Sequence, residues 1–330
     1  MSISTSNPQS NANNKWRHVS EIRNETLDYI IKRQQGLIKS LKTPWNKLNI
    51  SILDGLEWGS VMVIAGRPGS GKTTLCSQIT NTAHLENPTQ DFAVLNFQFE
   101  MTDRSIGARE LTGAFNTTMN HLFSTDPSKP LTLTHIEKIK DLYNKKKNDD
   151  IYFVTDPITA RDIRSEVIKF YNTVKKPIIV TIDHSVLVKK HTDEKDQLEA
   201  LYALSAELVY LKKKIPDSIY IILSQMNRTI EDPKRKEDGK IGNYPTSNDL
   251  FAADALMQNA DVVIAINRPD ILGIREYGPE QIKVVDGMVV LHLIKNRYGE
   301  QSMLFFEEDL KHFRLNEGPK PLMKSQKNKI

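Results

Sequence analysis

Cysteine is nearly absent from this chain: Cys76 is the only one in 330 residues. A single thiol cannot form an internal disulfide or a zinc-binding cysteine cluster, and it argues against redox chemistry. Long apolar runs are missing as well. The longest, Val61-Met62-Val63-Ile64-Ala65 and Val262-Val263-Ile264-Ala265-Ile266, fall well short of the roughly 20 residues that cross a bilayer, so no membrane partner is expected. Residues 1–14 are rich in Ser, Asn and Gln without an apolar stretch, which excludes a signal peptide and predicts a cytoplasmic protein. Glycine and proline, 15 of each, are too few for a low-complexity chain. Excess charge is lacking too. The net +4 comes from Lys320, Lys324, Lys327 and Lys329 in the acid-free segment 319–330, and the other 318 residues carry 41 basic and 41 acidic side chains. A basic footprint over the whole body is thereby excluded, and any nucleic-acid contact has to come from local loops. What is present is a globular composition, 39% apolar and 26% charged. The length exceeds the roughly 250–300 residues that one core usually serves, which predicts one large domain with appendages.

Residues 1–15 are polar and aperiodic and read as a disordered leader, and 317–330 read as a basic flexible tail. Leu27, Ile30, Ile31, Leu37, Ile38 and Leu41 follow helical spacing, which predicts an amphipathic helix within 16–42 whose apolar face needs a partner surface. From Val61 onward, β-type runs at 61–65, 92–99, 151–154, 178–182, 219–223, 262–266, 289–294 and 302–306 alternate with helical patterns at about 73–82, 104–116, 135–147, 161–174 and 197–214. Strand alternating with helix predicts an α/β fold, a mainly parallel sheet flanked by helices. Runs such as Ile178 to Ile182 are apolar at every position, as strands covered on both faces are. After Asp261 the pattern becomes strands joined by turn residues, Asp286-Gly287 and Asn296 to Gly299, so antiparallel strands should close the sheet at its C-terminal end.

Gly66, Arg67, Pro68, Gly69, Ser70, Gly71, Lys72 and Thr73 fit G-x-x-x-x-G-K-[ST] between an apolar strand and a helix that Thr74 opens, the context a phosphate-binding loop requires. Its glycines let backbone N–H groups and the helix N-terminus wrap a polyphosphate, Lys72 reaches the terminal phosphates, and the Thr73 hydroxyl can ligate Mg²⁺. Three strand tips add polar groups. Ile178 to Ile182 ends in Asp183, placed to hold the Mg²⁺ shell beside Thr73; a carboxylate that merely ends a strand is the plain alternative. The run to Phe99 ends in Glu100, a candidate to activate water or else a surface Glu. Strand 219–223 leads into Ser224-Gln225, and the Gln225 amide is suited to sensing the γ-phosphate. Ligands of open α/β sheets bind at this carboxyl edge. Lys295 and Arg297 flank Asn296 at a hairpin tip, where they are either solvated turn cations or a finger offered to a neighbour's γ-phosphate.

Together, Gly55 to Gly59, the phosphate loop, Phe97-Gln98-Phe99-Glu100-Met101, Ile182-Asp183-His184, Leu223 to Arg228, Gln258-Asn259-Ala260-Asp261 and Lys295 to Gly299 resemble the RecA-like motor domain of DnaB-type replicative helicases over roughly residues 43–314. The resemblance implies a RecA-like P-loop NTPase over 43–316. It implies a homo-oligomer, a hexameric ring that uses ATP and Mg²⁺ to translocate 5′→3′ on single-stranded DNA in a bacterial or phage-infected cell, with a loader or primase as further partner. It assigns Glu100 as catalytic base, brings Lys295 and Arg297 to the neighbour's nucleotide, and makes 16–42 the linker helix that packs on the adjacent subunit. There are two departures. The family usually carries an N-terminal helical domain that docks primase, whereas about 20 residues precede the stripe here, so docking by that route is not expected. Where the family's DNA-facing loop carries an Arg, this chain has Phe251 within Asn248 to Asp254. Backbone amides near Ala252, Ala253 and Asp254 could hold phosphates and Phe251 could stack on a base, or it could be a plain core residue. Lys234, Arg235 and Lys236 in the preceding polar stretch could add charge to the ring's channel, offset by nearby acids. A recombinase-like, strand-binding ATPase without unwinding activity and a nucleotide-switched assembly or loader factor are the competing readings.

Overall fold

Runs that are apolar at every position need cover on both faces, and the computed structural model shows how they obtain it. It describes residues 16–232, 234–235, 243–250 and 253–318. The leader 1–15, the tail from 319, and Lys236, Phe251 and Ala252 lie outside them. The chain divides into two units, 1–40 and 41–330.

In the first unit, helix α1 (Val19–Gln34) carries no buried residue. It is shorter than the helix expected from the stripe to Leu41. Gln35 caps it and Gly36 follows at φ +70, a left-handed conformation that ends helices and that glycine adopts at little cost. Leu27, Ile30 and Ile31 therefore share the exposed helix and Leu37 is exposed beyond it, whereas Leu41 is fully buried in the second unit and pairs with Leu56.

The second unit is built on β1 (Ser60–Gly66), β2 (Ala93–Gln98), β3 (Ile151–Val154), β4 (Ile178–Asp183), β5 (Ser218–Gln225), β6 (Val262–Asn267), β9 (Met288–Asn296), β10 (Ser302–Asp309) and β11 (Arg314–Glu317). Among the described residues these form one sheet in the order β11-β10-β9-β6-β1-β5-β4-β2-β3. The pairs from β3 through β6 are parallel, while β9, β10 and β11 are antiparallel additions, as the turn residues after Asp261 predicted. A short hairpin, β7 (Glu276–Tyr277) with β8 (Ile282–Lys283), stands apart.

Alternation along β1 distributes its side chains to both sides. Val61, Val63 and Ala65 join Leu95, Phe97, Val180, Tyr220 and Ile222 beneath α7 (Ala160–Val174) and α8 (Gln197–Lys214). Met62 and Ile64 join Ile221, Leu223, Trp45 and Phe306 beneath α2 (Asn46–Ser51) and α3 (Lys72–Glu86), to which α3 contributes Leu75, Cys76 and Ile79. Helix starts carry their own signals. Thr159 and Asp162 close a reciprocal capping box on α7, and Asp196 accepts from Glu199 N at 3.0 Å on α8. Beyond β2, α4 (Asp103–Phe115), α5 (Met119–Leu122) and α6 (Leu133–Lys146) lie between it and β3, and α9 (Ala253–Asn259) precedes β6. The elements absent from the sequence reading, α2, α5, α9, β7, β8 and β11, are all seven residues or shorter, too short to establish a period.

Candidate functional site

The site starts from the glycines of the phosphate loop. A Cβ on Gly66 would sit 2.4 Å from Ser70 Oγ and 3.0 Å from the Ile266 carbonyl, so no larger residue fits there. Gly69 and Gly71 hold φ of +75 and +102, which L side chains rarely adopt. Gly71 caps α3 directly, and the loop's amides lead into the first helical turn. Lys72 is buried, and its Nζ closes the loop by donating to the Arg67 carbonyl at 3.1 Å. Burial pushes its pKa down, against the pull of Asp183 and Glu100.

The parallel sheet aligns the other strand tips with this loop, because β1 pairs with β5 so that Gly66 faces Gln225, and β4 pairs with β2 so that Asp183 faces Gln98. Asp183 is 1% exposed, and among the described residues neither carboxylate oxygen finds a hydrogen-bond donor in ideal geometry, although the adjacent Thr73 hydroxyl favours its charged form. Desolvation dominates and raises its pKa to about 6. Gln225 Nε2 lies 2.9 Å from His184 Nε2, and burial followed by the charge of Lys72 lowers the His184 pKa, which favours the neutral ring. One cavity of about 360 Å³ is lined by Pro68, Gly69, Gly71, Lys72, Thr73, Thr74, Glu100, Arg109, His184, Gln225, Leu310 and Phe313. Glu100, Lys72, Thr73 and Gln225 thus line one cavity, with Asp183 buried beside them.

Arg109, His184, Leu310 and Phe313 belong to the cavity without having been singled out. Arg109 projects from α4, and its guanidinium stacks 4.7 Å from the Phe313 ring centroid. Its pKa is lowered by burial, partly offset by Asp183 and Glu100. The partners lie some 200 residues apart in sequence and no local pattern links them; only His184, next to Asp183, had a nearby signal.

Lys295 and Arg297 are elsewhere. β9 runs antiparallel to β6, so its end meets the start of β6. Arg297 donates to Asp261 Oδ1 at 3.0 Å and to the Gln258 carbonyl at 3.1 Å, while Lys295 Nζ bonds the carbonyls of Met257 and Gln258. Asp261 also accepts from Val61 N and pairs with Lys212, at the amino edge of the sheet. Five strand steps separate Val61 from Gly66, roughly 16 Å at 3.3 Å per residue, beyond the reach of either cation to this chain's own phosphate loop.

Of the residues considered for DNA, Lys234 is exposed. Arg235 is spoken for: it pairs with the Asp249 carboxylate and donates to the Tyr244 carbonyl at 2.8 Å. Ala253 and Asp254 open α9. Among the described residues no group of His, Cys, Asp and Glu assembles a metal cluster, and no helix is long and apolar enough to cross a membrane.

Comparison with known proteins identifies the family. The chain is 27% identical over 277 residues to the replicative DNA helicase DnaB of Buchnera aphidicola subsp. Baizongia pistaciae, covering 82% of this chain and 56% of that protein. It spans about half the length of the curated relatives it matches. Its fold is that of a solved ATPase domain, with a TM-score of 0.73 at 17% identity over 90% of this chain and 98% of that one. It is also that of a DnaB-like replicative helicase whose structure was determined with its interactions with primase, with a TM-score of 0.71 at 17% identity over 92% and 67% of the two chains. Residues 40–315 match the DnaB-like helicase C-terminal domain, and the chain belongs to that family.

Proposed function

We propose that the chain is an ATP-driven DNA helicase motor that works as a hexameric ring and translocates 5′→3′ on single-stranded DNA. One observation carries the reading: the nucleotide-facing groups and the two candidate finger cations sit on opposite edges of the same sheet. A site with Lys72, Glu100, Asp183 and Gln225 at one edge, and Lys295 and Arg297 roughly 16 Å away at the other, gains its finger only when a second copy presents its hairpin. The exposed Leu27, Ile30 and Ile31 of α1 supply an apolar face for the same association. Closed rings satisfy such head-to-tail contacts without leaving an open end.

The residues fit a magnesium nucleotide. Two buried carboxylate oxygens without hydrogen bonds beside a hydroxyl are the hard oxygen donors that Mg²⁺ takes. Thr73 and Asp183 would hold the cation, which would neutralise charge on the β- and γ-phosphates. The loop amides and Lys72 orient those phosphates, Glu100 accepts a proton from the attacking water, and Gln225 reports on the γ-phosphate through β5. Leu310 and Phe313 form the apolar wall on the nucleoside side, and the stack of Arg109 on Phe313 steadies it.

The test is strand displacement on forked DNA with ATP and Mg²⁺, with Lys72→Ala as control and hydrolysis followed in parallel. Unwinding that the control loses is the expected result. DNA-stimulated hydrolysis without displacement would point to a strand-binding ATPase, and hydrolysis indifferent to DNA would favour an assembly factor. Primase, with which the structurally similar helicase interacts, is the first protein partner to assay.

A further inference from the structure

Phosphate binding leaves the second position of the loop motif free, yet Arg67 is tied more firmly than any neighbouring loop side chain. Its Nε donates to Glu231 Oε1 at 2.7 Å and its second guanidinium nitrogen to Oε2 at 3.3 Å, a two-pronged pairing that Lys could not make. The remaining nitrogen donates to the Met226 carbonyl at 3.1 Å, while Met226 N donates back to the Gly66 carbonyl at 3.3 Å. The segment from Met226 to Glu231 is thereby clasped to the start of the phosphate loop.

The same segment is clasped from its other side. Met226 pairs with Leu250 as an antiparallel bridge, Asn227 N donates to the Asp249 carbonyl at 2.6 Å, and the Asn227 amide donates to the Leu250 carbonyl at 3.2 Å. Asp249 is in turn held by Thr246 and Arg235. Asn248 to Leu250 open the loop that the helicase resemblance turns toward DNA. At the nucleotide end, Lys72 donates to the Arg67 carbonyl at 3.1 Å, so phosphates that recruit this ammonium compete with residue 67 for it.

We propose that the Arg67–Glu231 pair is a coupling strut between the phosphate loop and the segment Thr246 to Leu250, through which DNA sets the hydrolysis rate and nucleotide sets DNA affinity. Both act as positioning residues, and the inference rests on the motor reading above. The Arg67 and Glu231 side chains are 20% and 39% exposed. Pairs this accessible add little to folding stability, so breaking this one should change communication rather than the fold.

The experiment uses the full chain and Glu231→Gln. ATP hydrolysis is measured with and without oligo-dT, resolving kcat and KM, and binding of a labelled oligo-dT is followed by anisotropy with and without a non-hydrolysable ATP analogue. The melting temperature and the rate without DNA should match the parent. The stimulation by DNA should fall by about 2- to 30-fold, the range expected when a coupling contact is removed. The nucleotide-dependent change in DNA affinity should shrink as well, and linkage then requires the DNA-dependent change in nucleotide affinity to shrink by the same factor. Glu231→Asp, which keeps the charge, should recover part of the loss, and Arg67→Lys, which loses the fork, should lower the nucleotide-dependent change in DNA affinity. Parental stimulation and parental nucleotide dependence in Glu231→Gln would overturn the strut. So would DNA affinity lowered equally with and without nucleotide, which would make Glu231 part of a DNA-binding surface. A parent chain whose hydrolysis ignores DNA would instead sink the motor reading, and this inference with it.

Discussion

Asp183→Asn should make the protein more stable while removing its nucleotide hydrolysis. The carboxyl is buried, its pKa is raised from 3.8 to about 6, chiefly by desolvation, and neither oxygen closes a hydrogen bond. A raised acid pKa means that the folded state favours the protonated form. The stability this group contributes is full below about pH 4 and is lost as pH rises through about 6. A shift of about two pKa units corresponds to about 3 kcal/mol at pH 8 and about half of that at pH 5, where the unfolded carboxyl is still largely ionised. The neutral amide of Asn avoids the loss. For a body of this size about 3 kcal/mol corresponds to a rise in Tm of about 6 °C. Thermal unfolding of parent and variant, without nucleotide and with a chelator present, should show the variant ahead by about that much at pH 8 and by clearly less at pH 5. ATP hydrolysis by the variant should fall to background, because the buried carboxylate charge that would hold Mg²⁺ is gone. A variant equally or less stable than the parent at pH 8, or an advantage independent of pH, would refute the reasoning.

Arg297→Ala should leave nucleotide binding near normal while hydrolysis falls by about 10³-fold or more. Mixing it with Lys72→Ala protein should restore part of the turnover through sites shared between subunits, and absence of recovery would argue against a finger in trans. Phe313→Ala should raise the KM for ATP by about tenfold, the scale of one base–aromatic stack, with kcat little changed. A fall in kcat at constant KM would place Phe313 in the chemistry instead.

The order of the main elements and the identity of the groups at one sheet edge can be read along the chain alone. The phosphate loop, Asp183, Glu100 and Gln225 are legible because each sits directly after an apolar run, and in a parallel sheet every such run ends at the same edge. Local pattern carries that information without any knowledge of packing. Periodicity misleads once. Leu37, Ile38 and Leu41 keep helical spacing with Leu27 and Ile30, yet Gly36 breaks the helix and Leu41 is buried with the second unit, since spacing records which residues are apolar and not which surface buries them. The remaining features exist only in the folded chain. The stack of Arg109 on Phe313 joins residues some 200 positions apart, and the fork of Arg67 on Glu231 spans 164. The placement of Arg297 follows from β9 running antiparallel, which carries its tip to the edge away from the phosphate loop. Such pairings arise from how strands cross and pair over long separations, and no window of sequence contains both partners.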